Sequence, residues 1–311
     1  MMGVEASTHL GIGMVCRIPR CDCIVHVVAN RLVGFGPVRA EQGPRPWTDG
    51  EVISPQATVF EHARERGVHC VALAREMDRI PGPWTAALFR GAERAVPNNR
   101  QRGTSPDGTI TDHAEYVAGL TEEIEGILAA HLGEKPLLLW AYVNLDDHIH
   151  LHGYDATVHR VLVSLESAAL GWMERGWLVL AHSDHGQVPC RPDAGLARVW
   201  QEVDNPAYCR LPSGGAGRVR WLYPKHEMEG SVISILSDGL GDHAVIASPD
   251  DIAKLGLWRM TPEVCGRAGE VIVVAASEEF PVPNPRLRYE HGGVTEAEML
   301  VPLAIWSPGG V

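Results

Sequence analysis

No apolar run in this sequence reaches the roughly 18 residues that a membrane-spanning helix needs, so none of its segments reads as a membrane anchor. The first thirteen residues lack the basic start and apolar stretch of a signal peptide. Net positive charge is also lacking. Against 39 acidic residues stand 27 basic ones, a formal net charge of −12. Such a chain has no electrostatic footprint for a nucleic-acid polymer. It can still act on a small anion if a metal ion supplies local positive charge. Paired cysteine spacing is missing as well. The seven cysteines are Cys16, Cys21, Cys23, Cys70, Cys190, Cys209 and Cys265, and Cys21-Asp22-Cys23 has no second pair with which to build a zinc ribbon. They read as reduced, packed thiols, and the expected compartment is the cytoplasm.

What is present is a chain of 311 residues with 45% hydrophobic and 21% charged residues, ample for a buried core. Its 33 glycines and 22 prolines predict many turns. From Ser54 onward, helical and strand patterns alternate. Ser54-Pro55 opens a helix running to about Gly67, followed by a short buried strand from Val68 to Leu73. Asp112 to Leu132 is the clearest helix, with Tyr116, Leu120, Ile124, Ile127 and Leu128 in one stripe. The run from Pro136 to Val143 is apolar throughout, as in a strand covered on both faces. A helix from about Asp155 to Arg175 and a strand from Trp177 to Ala181 follow, then candidate strands Val219–Tyr223, Ala244–Ala247 and Val271–Ala275. This succession predicts an α/β fold with a mainly parallel central sheet flanked by helices on both faces. Ligands of such sheets sit at the carboxyl ends of the strands. The stretch from Arg94 to Asp112 is expected to be an exposed loop.

Three clusters lie where strands end. The first, Asn144-Leu145-Asp146-Asp147-His148-Ile149-His150-Leu151-His152-Gly153, offers three histidines and two aspartates within seven residues, donors suited to Zn²⁺ or a similar ion. The bland alternative is a polar loop with surface histidines. The second is Ser183-Asp184-His185-Gly186, in which the glycine lets a tight turn aim Asp184 and His185 off the sheet edge. The third is His291-Gly292-Gly293, leading through Glu296-Ala297-Glu298-Met299 into the apolar run Leu300 to Trp306, expected to return as a strand. The alternation His148-x-His150-x-His152 would also suit a strand-borne metal site of another hydrolase class. Its surroundings match neither the amidohydrolase nor the metallo-β-lactamase pattern.

In order, Asp-x-x-x-His, Ser-Asp-His-Gly and His-Gly-Gly resemble the alkaline phosphatase superfamily. The ending Glu-Met-Leu-Val-Pro-Leu resembles its type I phosphodiesterase/nucleotide pyrophosphatase branch. The resemblance extends from about residue 3 to Trp306. It implies a single catalytic domain over residues 1–311, with room for an inserted cap or loop region at about 187–285. It also implies a hydrolase of small phosphate esters carrying two zinc ions. One ion would be held by Asp146, His150 and His291; the other would take Asp184 and His185. His148 and His152 would be outer groups, and Asp147 is one residue short of the ligand spacing. Glu5-Ala6-Ser7-Thr8-His9-Leu10-Gly11-Ile12-Gly13 resembles the family's nucleophile segment, with Thr8 as nucleophile and Ser7 as the alternative. Asn30, in Val27-Val28-Ala29-Asn30-Arg31, matches the asparagine that donates to a phosphoryl oxygen. The family's first strand, ending in Asp-Gly, finds no counterpart ahead of Thr8. Either the start is truncated, or the second zinc site is one carboxylate short.

Overall fold

The computed structural model describes residues 15–18, 23–26, 31–32, 57–75, 83–95, 102–131, 133, 135–257, 264–265, 268–281 and 286–309. Ser7, Thr8 and Asn30 lie outside the described residues, as do Ser54 and Pro55.

Near the N-terminus, β1 (Val15–Ile18), β2 (Cys23–His26) and β3 (Arg31–Leu32) pair antiparallel in succession. There follow α1 (Val59–Glu65), β4 (His69–Leu73), α2 (Pro83–Leu88), β5 (Glu93–Arg94), α3 (His113–Ala130) and β6 (Leu137–Ala141). Next come α4 (Asp146–His152), α5 (Ala156–Glu174), β7 (Val179–His182) and β8 (Val188–Pro189). The chain continues through α6 (Ala194–Val203), β9 (Cys209–Ala216), β10 (Val219–Pro224), α7 (Glu229–Leu240), β11 (Ala244–Ala247), α8 (Pro249–Lys254) and β12 (Val271–Ala275). It closes with β13 (Tyr289–Glu290), α9 (Glu296–Met299) and β14 (Leu303–Trp306).

Local chemistry explains the helix starts. Thr58 and Glu61 form a reciprocal capping box at α1. Asp112 accepts from the Ala114 and Glu115 amides at α3, and Asp155 from Thr157 and Val158 at α5. The stripe on α3 is buried at Tyr116, Leu120 and Ile124.

The strands β5-β4-β6 form a parallel sheet, as the β-α-β succession predicts. The later candidate strands go elsewhere. They join a seven-stranded antiparallel sheet, in the order β11-β12-β10-β9-β1-β2-β3. The reason lies in the crossover: β10 and β11 run parallel to each other, joined by α7, but β12 inserts between them antiparallel to both. Helical spacing between two strands is thus compatible with antiparallel hydrogen bonding when a third strand fills the space they leave.

The two sheets share a core in which Phe60, Cys70, Ala72 and Phe89 pack with Trp221, Tyr223, Ile272 and Val274. The far face of the antiparallel sheet is covered by α6 and α7 through Trp200, Val203, Leu236 and Leu240. On the parallel sheet, α3 and α5 cover Leu73 and Leu139. β7 pairs only with β14, antiparallel, among the described residues. The edge of β6 away from β4 and the edge of β7 away from β14 carry no described strand. The run from Trp177 to Ala181 is not a buried strand: Leu178 is 60% exposed and Leu180 57%. Among the described residues, no helix is long and apolar enough to cross a membrane, and Cys70, Cys190, Cys209 and Cys265 are free thiols.

The loop between β5 and α3 is less exposed than its composition predicts. Over residues 102–112, Thr104 bridges to Ile110, Ile110 is buried, and its amide donates to His148 Nδ1 at 3.1 Å. Gly108 approaches so closely that a Cβ would lie 2.3 Å from the Asp147 side chain.

Candidate active site

The first histidine cluster folds as a helix, and this decides which donors meet. On α4 the spacing of four residues places Asp146 and His150 on one face, with Asp146 Oδ2 3.4 Å from His150 Nε2. His148 and His152, likewise four apart, lie beside each other with ring centres 4.7 Å apart and planes tilted by 31°. The strand-like reading of His148-x-His150-x-His152 therefore fails, because alternate residues of a helix do not share a face. His148 is a buried structural histidine: its Nδ1 accepts from Ile110, and its Nε2 donates to Asp155 Oδ1 at 3.2 Å. His152 faces Thr109. Asp147 accepts from the side-chain Nδ2 of Asn144 at 2.8 Å.

The third donor arrives from the far end of the chain. β13 pairs with β8 and carries Tyr289 against α4. His291, just beyond, places Nε2 3.9 Å from Asp146 Oδ1. One ligand atom each from Asp146, His150 and His291 lies within 4.8 Å of the other two. A tetrahedral zinc with ligands at about 2.1 Å sets its donors about 3.4 Å apart; Asp146 and His150 already stand at that distance, and His291 would have to close in on them. One carboxylate and two imidazoles with a fourth position left open is the donor set of catalytic rather than structural zinc.

The surroundings orient these donors. His150 Nδ1 donates to the Tyr289 carbonyl at 2.8 Å, which fixes the tautomer and turns Nε2 toward Asp146. Gln187 Nε2 donates to Asp146 Oδ1, and the Gln187 backbone amide donates to the Tyr154 hydroxyl at 3.0 Å. Tyr154 meets Tyr289 edge-on. A ring of contacts thus runs from Asp146 through Gln187, Tyr154, Tyr289 and His150 back to Asp146. Gly153 makes this possible: at φ +76° it turns the chain where a Cβ would lie 2.4 Å from the Tyr289 ring. Buried Glu290 accepts from the His291 amide at 3.1 Å.

Electrostatics follow from this packing. Burial works against charge on Asp146, yet the hydrogen bond and charge of His150, with His291 and His185 beyond, hold its carboxyl below the usual carboxylate range. Burial likewise opposes charge on His150, but Asp146 and Glu290 outweigh it and raise the imidazole to about 9. Burial pushes the Glu290 carboxyl up, against the pull of His150.

Asp184 and His185 occupy the turn after β7. The His185 ring stacks on that of His291, with centres 3.6 Å apart and planes 13° from parallel. Its Nδ1 donates to the Gly186 carbonyl at 3.1 Å. The Asp184 side chain is 72% exposed, and its nearest polar partners are its own neighbour's amide and ring. Gly186 is required for space: a Cβ would sit 1.9 Å from the Ala297 carbonyl oxygen. The structure thus brings Asp146, His150 and His291 together and sets His185 against them, while Asp184 stands to one side. Among the described residues, Asp184 and His185 have no third donor that would complete a second group.

Sequence reasoning passed over Gln187, Glu290 and Tyr154. Gln187 directly follows Asp-His-Gly and Glu290 directly precedes His291, so adjacency to a motif was the available signal.

No protein-family profile matches this sequence, and no curated protein matches it. Solved structures do match. Murine ectonucleotide pyrophosphatase/phosphodiesterase 5 superposes with a TM-score of 0.61 at 15% identity, covering 99% of this chain and 74% of that one. The human protein of the same name gives 0.60 at 15% identity, with the same coverages of 99% and 74%. Phosphonoacetate hydrolase from Sinorhizobium meliloti, in complex with phosphonoacetate, gives 0.56 at 13% identity and covers 97% of this chain and 75% of its own. An inactive form of the murine protein has been solved in complex with AMP. With its parallel sheet, flanking helices and these neighbours, the chain has an alkaline phosphatase-like fold.

Proposed function

We propose that this protein hydrolyses small phosphate esters, preferring diesters, with zinc held by Asp146, His150 and His291. The observation that carries the reading is the convergence of those three donors within 4.8 Å at a strand end. It is supported by neighbours of the same fold whose names denote a phosphodiesterase and a phosphonate hydrolase.

When bound, the metal would supply positive charge to the phosphoryl oxygens and lower the pKa of a nearby hydroxyl. The chain's own residues then have defined tasks. Gln187 keeps one oxygen of Asp146 engaged, and Tyr289 keeps Nε2 of His150 free to ligate. Thr8, the proposed nucleophile, forms an Oγ–P bond as the bond to the leaving alkoxide breaks, and its proton leaves with that alkoxide. Water then attacks phosphorus, releasing the phosphate product and restoring the threonine hydroxyl. Asn30 donates to a non-bridging oxygen. One neutral donor, with no arginine clamp among the described residues, favours a monoanionic diester over a dianionic monoester.

The test uses chelated protein reloaded with zinc, assayed on bis(4-nitrophenyl) phosphate and 4-nitrophenyl phosphate. The expected result is faster turnover of the diester, lost on chelation and regained with zinc. Equal or faster monoester turnover would make the protein a phosphomonoesterase. The exposure of Asp184 favours a second reading, a metal-binding domain with impaired catalysis. Zinc bound with neither substrate turned over would establish that one.

A further inference from the structure

Beneath the two histidine-bearing turns lies one ion pair, and its side chains are 0% and 1% exposed: Arg218 with Glu298. The contact is two-pointed, Nε to Oε1 at 2.7 Å and Nη2 to Oε2 at 3.3 Å. Both side chains make further hydrogen bonds. Arg218 also donates to the carbonyls of Ser277 and Glu278. Glu298 also accepts from the Gly293 amide at 2.8 Å and the Thr295 hydroxyl at 2.7 Å. Removing two charges from water costs several kcal/mol per ion, and a well-packed apolar pair of similar volume is often no less stable. Stability alone therefore gives little reason for this pair.

Its connections supply one. The Arg218 amide donates to the His291 carbonyl at 2.9 Å. The Glu298 carbonyl accepts from the Gly186 amide at 2.9 Å, directly after His185. Gly293 is gripped so closely that a Cβ would lie 2.7 Å from Glu298 Oε2 and 2.6 Å from the Ala275 carbonyl oxygen. One end of the pair thus fixes the backbone of His291, and the other fixes the turn of Asp184 and His185. Above them the two imidazoles stack at 3.6 Å.

We propose that Arg218 and Glu298 are positioning residues that set the His291 ring against Asp146 and hold His185 stacked upon it. This deepens the proposed function, because those rings are the donors that reading assigns. The pair acts through the backbones of the two turns.

Two readouts test it, on the full chain. The first needs no metal. In chelated protein, carbethoxylation of His185 and His291 by diethyl pyrocarbonate is followed by mass spectrometry. Their side chains are 17% and 28% exposed, so both are partly shielded. Glu298→Gln is expected to raise both rates severalfold while His148, remote from the pair, keeps its own. The second readout is Co²⁺ titrated as a spectroscopic probe. Glu298→Gln, Arg218→Lys and the double variant Arg218→Met with Glu298→Leu should each lose about 10- to 100-fold in affinity, the range for residues that orient metal ligands, and alter the visible absorption. Circular dichroism confirms folding, and the two conservative variants carry the test if the apolar one fails to fold. Folded variants with the parent's histidine reactivity and the parent's cobalt spectrum and affinity would overturn the proposal. If the parent itself takes up no Co²⁺, the metal reading falls, while histidine reactivity still decides the positioning role.

Discussion

The two aspartates at the strand ends have like neighbours in sequence and unlike surroundings in space. Asp146 begins a helix, meets His150 one turn later, and accepts from Gln187; its side chain is 34% exposed. Asp184 follows a strand, precedes a histidine whose ring stacks on His291, and is 72% exposed. A ligand is made by what restrains it as much as by its carboxylate. The comparison teaches that the half of the site centred on Asp146 is organised in this chain, whereas the half centred on Asp184 has one oriented imidazole and one loose carboxylate.

The largest effect expected is on binding of the first ion. Asp146→Asn or His291→Ala should lower zinc affinity by more than about 100-fold, since the loss of a ligand exceeds the loss of an orienting group. Asp184→Asn should lower it by less than about 10-fold on the same rule. Competition with a chromophoric chelator measures both, and equal losses would erase the distinction. Next in size is Gln187→Leu, which keeps the volume but removes the donor to Asp146. A loss of about 10- to 100-fold is expected, with the fold unchanged by circular dichroism.

Protons sharpen the comparison further. With its imidazole raised to about 9, His150 is protonated at neutral pH in the metal-free protein. Zinc must displace that proton, so apparent affinity should fall about tenfold per pH unit below 9. In stability the sign is fixed by the raised value. The His150 contribution is fully present below the unfolded imidazole's pKa near 6.5 and is lost as pH rises through about 9. The melting temperature of chelated protein should therefore decline over that window, and Asp146→Asn should flatten the decline. The smallest effect expected is at Leu180, 57% exposed on β7. Leu180→Lys should change unfolding free energy by no more than about 0.5 kcal/mol, read from urea titration.

Two apolar strands show how far the sequence could be read. The runs Val271–Ala275 and Trp177–Ala181 have similar composition, yet Ile272 and Val273 are 0% exposed while Leu178 and Leu180 are more than half exposed. Hydrophobic content predicted both strands; burial was decided by whether a layer covers them, which local pattern does not encode. Helices α3 and α5 were legible because their caps and stripes are local. The antiparallel partners of β10, β11 and β12 were not, because β12 enters between two strands already joined by a crossover. At the site, the residues themselves offered a donor-rich cluster, and the resemblance selected Asp146 and His150 from it and added His291 from more than a hundred residues away. The buried Arg218–Glu298 pair was invisible, since neither residue stands in a motif that announces a partner 80 positions distant.

X-ray absorption at the zinc edge, on protein loaded with one equivalent, tests the central claim most directly. Nitrogen and oxygen scatterers are expected at about 2.0–2.1 Å with the outer-shell signature of two imidazoles, reduced to one in His291→Ala. Sulfur at about 2.3 Å, or an imidazole count unchanged by His291→Ala, would contradict it.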